Sequence, residues 1–137
     1  MLQVESKITE VNASNEHIYN FLADFNNFSN LMPPQVTQWK ADENTCSFII
    51  QGLPELKLEY KEKTPFSLIV ITPQSLGSVS FDLGITLQIV SANSSTVITY
   101  LNADVNPMMK MMLQNPLQNF VNTLSEKLGL YFESHKK

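Results

Sequence analysis

The chain contains no arginine: all nine of its basic residues are lysines, set against 13 acidic ones for a net charge of −4. That argues against a nucleic-acid partner and against bidentate recognition of phosphate or carboxylate, both of which favour the guanidinium fork. With a single cysteine, Cys46, neither an internal disulfide nor a cysteine-rich metal site can form, and a reducing, cytoplasmic setting is the natural reading. The four glycines are scattered, so no phosphate-cradling glycine loop exists. The two histidines, His17 and His135, do not stand near other ligand types at a metal spacing, and neither a metal nor another cofactor is expected. No apolar run reaches the roughly 18 residues that mark a membrane span. The opening Met1-Leu2-Gln3-Val4-Glu5 lacks the basic and then apolar pattern of a signal peptide.

Charge is sparse as well, at 16% of residues against a usual figure of about 25%, whereas the apolar fraction of 43% is ordinary. A chain of 137 residues with that composition is expected to fold as one domain, residues 1–137, around a sizeable core. Residues 2–11 alternate, with Leu2, Val4 and Ile8 on one side, which predicts a half-buried strand. Ser14 is placed to cap a helix carrying Ile18, Phe21, Leu22 and Phe25, and a second short helix with Phe28, Leu31 and Met32 must stop before Pro33-Pro34.

From Val36 to about Asn106 the reading is strand after strand. The pattern runs through Trp39; Cys46, Phe48 and Ile50; Leu56, Leu58 and Tyr60; Phe66, Leu68 and Val70; Val79 to Ile89; and Val97 to Val105. Turns fall at Asp42-Glu43-Asn44, Gly52-Leu53-Pro54, Thr64-Pro65, Pro73 through Gly77 and Asn93-Ser94-Ser95. Short breaks imply hairpins and hence an antiparallel sheet with one covered and one wet face. By parity, Trp39 and Ile98 belong to the outer face, where an apolar patch would suit dimerisation or a protein partner.

The periodicity then changes to helical. Leu117, Phe120, Val121, Leu124, Leu128 and Tyr131 make one apolar stripe, and a long helix arriving after a sheet must pack on it. Before the stripe stand Met108, Met109, Met111 and Met112, four of the six methionines, soft side chains suited to an adaptable core or an apolar ligand. Asn106-Pro107 and Asn115-Pro116 each read as an N-cap followed by a first-turn proline. Two arrangements fit: a separate Met-rich segment before the long helix, or one helix kinked at Pro116.

Strand, two short helices, about six strands and a long C-terminal helix is an order that resembles the helix-grip fold. The stretch Ile8 to Asp24 through Phe28 to Pro33-Pro34 looks like the opening of the START-like, or SRPBCC, superfamily, which includes polyketide cyclase/dehydrase-like proteins and relatives of the birch-pollen allergen. The resemblance implies an α+β fold in which a curved antiparallel sheet of about seven strands wraps a long C-terminal helix. It also implies an apolar cavity between sheet and helix. The superfamily has no universal catalytic motif, so no catalytic residue is carried over.

The expected function is binding or transport of a hydrophobic small molecule, such as a lipid, isoprenoid or polyketide-like compound. Candidate ligand contacts are Phe48, Leu58, Tyr60, Leu68, Phe81, Leu83, Ile85 and Leu101 from the sheet, and Met108, Met112, Leu117, Phe120, Val121 and Leu124 from the helix region. The bland alternative is that the same residues fill a solid core. A cyclase, dehydratase or hydrolase working through Tyr60 or Tyr131 is a second reading, and a co-chaperone-like interaction module a third. A homodimer is compatible with each.

Overall fold

The computed structural model describes residues 2–32, 34, 36–50, 55–74 and 80–134. Val79, His135 and the break at Gly52-Leu53-Pro54 lie outside them. The elements are β1 (Leu2–Glu5), β2 (Thr9–Val11), α1 (Asn15–Leu22), a 3-10 helix (Phe25–Leu31), β3 (Val36–Ala41), β4 (Thr45–Ile50), β5 (Leu56–Thr64), β6 (Leu68–Pro73), β7 (Ser80–Ser91), β8 (Ser94–Asp104) and α2 (Pro107–Ser134). They form one antiparallel sheet in the order β1-β8-β7-β6-β5-β4-β3, with β2 also on β8. This is the helix-grip arrangement: α2 lies across β1, β2 and β8 and reaches the 3-10 helix, α1 covers β6 and β7, and the 3-10 helix covers β3 and β4.

Local chemistry accounts for the element ends. The Ser14 hydroxyl accepts from the backbone N–H of His17, as an N-cap should. Asp24 caps the 3-10 helix by accepting from the Asn26 N–H at 2.9 Å, so Phe25, expected on the first helix, belongs to that second one. The Asp42 carboxylate accepts from the N–H groups of Asn44 and Thr45 and from the Thr45 hydroxyl, closing the β3–β4 turn.

The structure departs from the sequence expectations at four further places. The first strand is broken: Ser6 is buried and exchanges backbone and side-chain hydrogen bonds with Thr99, and Ile8 is left 69% exposed rather than facing inward. In β6, Ile69 and Ile71 face the core opposite Ile85 and Leu83, so Leu68 and Val70 sit on the convex face opposite Thr86 and Gly84. Ile89 keeps the inward parity of β7 but overhangs the covered region and is 60% exposed. Trp39 turns inward because a one-residue irregularity in β3, with Gln38 at φ 54°, sets Gln38 and Trp39 together opposite Phe48.

The C-terminal element is one helix of 28 residues that contains Pro116 and starts at an Asn106 cap, whose side chain accepts from the Met109 N–H. No separate Met-rich segment precedes it.

Candidate functional site

In an antiparallel sheet the starts of β1, β3, β5 and β7 and the ends of β4, β6 and β8 lie at one end of the molecule, and α2 begins there too. The other end is solid: Ile18, Leu22, Phe25, Leu31, Ile69, Ile85, Val97, Leu124 and Leu128 are fully buried. At the end where α2 begins, the described apolar side chains packed on this core include several that are only half-buried: Val36, Trp39, Leu56, Phe81, Val105, Leu113 and Leu117. The contrast is one of degree among the described residues, since Leu2 and Ala103 are buried at the end where α2 begins and Tyr19, Phe21 and Tyr131 are half-buried at the other; the half-buried aliphatic and aromatic rim beside the first half of α2 forms a mouth where an apolar guest has surface to gain.

Most of the expected contacts fall on this surface. Phe48, Leu58, Leu83, Ile85 and Leu101 are buried on the concave face, and Phe120, Val121 and Leu124 are buried on α2 opposite it. Phe81 and Leu117 are the half-buried members at the mouth. Leu68 is excluded by its place on the convex face. Met108 and Met112 are 71% and 68% exposed. At about 100° per residue they lie on the side of α2 opposite Leu117, Leu124 and Leu128, turned away from the sheet. Trp39, read as an outer-face residue, joins the mouth, stacked on Phe48 at 5.5 Å between ring centres.

Tyr60 is already committed. Its hydroxyl donates to the Leu22 carbonyl, its ring stacks on Phe25 at 4.2 Å, and the Lys63 ammonium stands 4.7 Å above the ring. Burial pushes its phenol well above the usual range, with the nearby Asp24 carboxylate acting in the same direction. It ties α1 to the sheet and is poorly suited to proton transfer. Tyr131 is half-buried with its ring 4.4 Å from that of Phe21. Burial likewise pushes the Cys46 thiol up to about 12, far from a nucleophilic thiolate. Among the described residues no three His, Cys, Asp or Glu side chains converge as a metal site would require.

One polar feature of the interior escaped sequence reasoning. Beneath α2, Thr99 Oγ1 lies 2.7 Å from Ser125 Oγ, which lies 3.0 Å from Ser6 Oγ; Ser6 in turn donates to the Lys7 carbonyl and accepts from the Thr99 N–H. Each hydroxyl proton has an acceptor if the chain runs Thr99 to Ser125 to Ser6 to Lys7. Such a relay is internally satisfied and fastens α2 to β8 and the β1–β2 break. Its signal was available: Thr99 shares the parity of Val97 and Leu101. A separate open cleft of about 300 Å³ lies at the β3–β4 corner, where Lys40, Ser47 and Lys57 face one another across three strands beside Gln74. It is polar and distinct from the apolar mouth.

No protein-family model matches the chain, and neither does any curated protein. Solved structures do. XoxI from Bacillus cereus superposes with a TM-score of 0.77 at 11% identity, covering 100% of this chain and 99% of that one. A START superfamily protein from Mycobacterium smegmatis gives 0.71 at 16% identity over 98% and 99% of the two chains. Norcoclaurine synthase of Thalictrum flavum, solved as a point mutant with a transition-state analogue, gives 0.72 at 13% identity over 98% and 96%. The chain therefore has the START-like helix-grip fold. At these identities the likeness extends to fold alone, since one fold hosts many functions.

Proposed function

We propose that this domain binds and carries an apolar small molecule, seated at the open end of the concave face between β3–β8 and the first half of α2. One observation carries the reading: the half-buried rim of Val36, Trp39, Leu56, Phe81, Leu113 and Leu117 joins a buried apolar floor. No charged side chain of the described residues is buried there, and the interior hydroxyls are satisfied among themselves. Such a surface offers an apolar guest dispersion and desolvation and offers a polar substrate little. The commitments of Tyr60 and Cys46 support carriage over chemistry. The lipid, isoprenoid and polyketide-like classes all fit this description.

Native mass spectrometry of the purified chain, with a panel of fluorescent fatty acids and isoprenoids, tests the reading. Saturable binding, weakened by Leu117→Glu at the rim and untouched by Lys57→Ala in the polar cleft, is expected. Absence of binding across the panel, or binding indifferent to Leu117→Glu in a folded variant, would overturn it.

A further inference from the structure

We infer, on the carrier reading above, that the guest is an amphiphile with a carboxylate head, such as a fatty acid, held tail-inward with its carboxylate at Lys110 on the rim of the mouth. The orientation comes from the interior. No buried side-chain nitrogen or oxygen of the described residues lacks a partner; the Thr99, Ser125 and Ser6 hydroxyls satisfy one another, and the Tyr60 hydroxyl donates to the Leu22 carbonyl. A polar head carried inward would lose its hydration with no free hydrogen-bonding group to replace it. The head therefore stays at the opening, and the tail takes the apolar floor.

Lys110 meets it there. It precedes Leu117 by two helical turns, so only about 20° separates the two around α2, and Leu113 lies between them on the same sheet-facing stripe. At the mouth that stripe thus ends in a cation. Lys110 is exposed, and its ammonium has no partner among the described residues. The helix itself has no use for it, since a cation near the start opposes the macrodipole and no acidic residue stands in the first turn. The acidic side chains of the neighbourhood are turned away or distant. Asp104 has the convex parity of β8, opposite Ser80. Glu126 lies about 24 Å further along α2 and on its other side. Glu55 leads into β5, three strands from β8 in the sheet and so about 14 Å away from it, beyond the screening length of about 8 Å at physiological salt. A lysine suits a rim position because its stem covers apolar surface while its ammonium stays in water. One cation without a counter-charge matches one carboxylate. A phosphate monoester, with a charge of about −1.5 to −2 and three acceptor oxygens, asks for more donors than a single lysine supplies in a chain that has no arginine.

Trp39, the single tryptophan of the chain, lies at the mouth and reports its occupancy by fluorescence. Decanoate, decanol and decyl phosphate are titrated into the full chain and into Lys110→Gln at low salt. Decanoate is expected to bind the full chain, and in Lys110→Gln its affinity should fall about threefold while that for decanol is unchanged. Raising the salt should shrink this difference, as for any ion pair open to solvent. Lys57→Gln, in the polar cleft, should leave decanoate affinity as it is. Three results would overturn the inference and leave the carrier reading standing: decanoate affinity retained in Lys110→Gln or lost there together with that for decanol, an equal loss in Lys57→Gln, or decyl phosphate bound more tightly than decanoate. A chain that takes up none of the three compounds also overturns it, and the carrier reading falls with it only if the fluorescent fatty acids and isoprenoids fail as well.

Discussion

Gly84 owes its place to a neighbour on the convex face. A Cβ built there would lie 2.1 Å from the Tyr100 ring, which lies over the glycine from the adjacent strand. Gly84→Ala must push that ring off the sheet, and a loss of about 1–2 kcal/mol is expected. In a Tyr100→Ala background the same change should be neutral or stabilising, since glycine is itself unfavourable in a strand. Urea titrations followed by Trp39 fluorescence on the four proteins of this cycle measure the coupling; equal costs in both backgrounds would contradict it. Cys46 gives a second residue-scale expectation. Its thiol is raised from 9.0 to about 12 by burial, helped by the charge of Asp42 and opposed by a hydrogen bond to the backbone of Leu58. Above pH 9 the unfolded chain therefore releases a proton that the folded chain keeps, and stability falls as pH rises through that window. Tyr60, also raised, adds a loss of the same sign from about pH 10. Stability measured by urea unfolding between about pH 7 and pH 10.5 should decline at the alkaline end, and less steeply in Cys46→Ala. A flat profile, or equal slopes in the two proteins, would show that the thiol is not shielded.

At the scale of elements, α2 passes through Pro116 without dividing. Proline at that position cannot donate to the carbonyl of Met112, one turn back, so the helix runs with one bond missing on its solvent side. Pro116→Ala restores the donor and should stabilise the fold by about 1–3 kcal/mol. A proline opening a separate helix would make the change neutral, so the unfolding midpoint distinguishes the two arrangements that the Asn-Pro repeats leave open. What was legible in the sequence follows a physical division. Caps and turns were readable because Ser14 and Asp42 act on their own neighbours in the chain. The polarity of β7 was readable because Leu83, Ile85 and Leu87 alternate with Gly84 and Thr86. In β6, Leu68-Ile69-Val70-Ile71 has no alternation, so only pairing with β7 decides that Ile69 and Ile71 go inside. Trp39 and Ile8 were misplaced for a related reason: parity fails at any irregularity, and neither the extra residue in β3 nor the turned-in Ser6 leaves a mark in hydropathy. The candidate contacts lie on the concave surface where they followed long regular elements. They lie off it where they relied on residue type alone, as at Met108 and Met112, whose side of the helix depends on where Leu117 and Leu124 point.

The whole molecule divides its labour between two ends and two faces. Beneath α1 and the later turns of α2 lie most of the fully buried side chains, and among the described residues the end where α2 begins has an apolar rim that is half-covered. The proposed ligand surface uses one side of α2 only, so Leu117→Glu should weaken binding while a substitution at the outward-facing Met111 should leave it unchanged. The convex face carries the ion pair between Lys61 and Asp82, 3.1 Å apart and largely in solvent, which contributes little to stability. Asp82 matters more for its place in the chain. Together with Asp104 it brackets a stretch of β7 and β8 without any charged residue, rich in Ile, Val, Leu and Thr and paired along nearly its whole length. Folded, that hairpin lies within the sheet, with β6 on one side and β1 and β2 on the other. Opened by heat or denaturant, it is a long uncharged segment of high strand propensity whose backbone can pair with another molecule as readily as with itself. The two aspartates at its borders then serve as gatekeepers, and the solubility of the opened chain rests on them more than does the stability of the closed one.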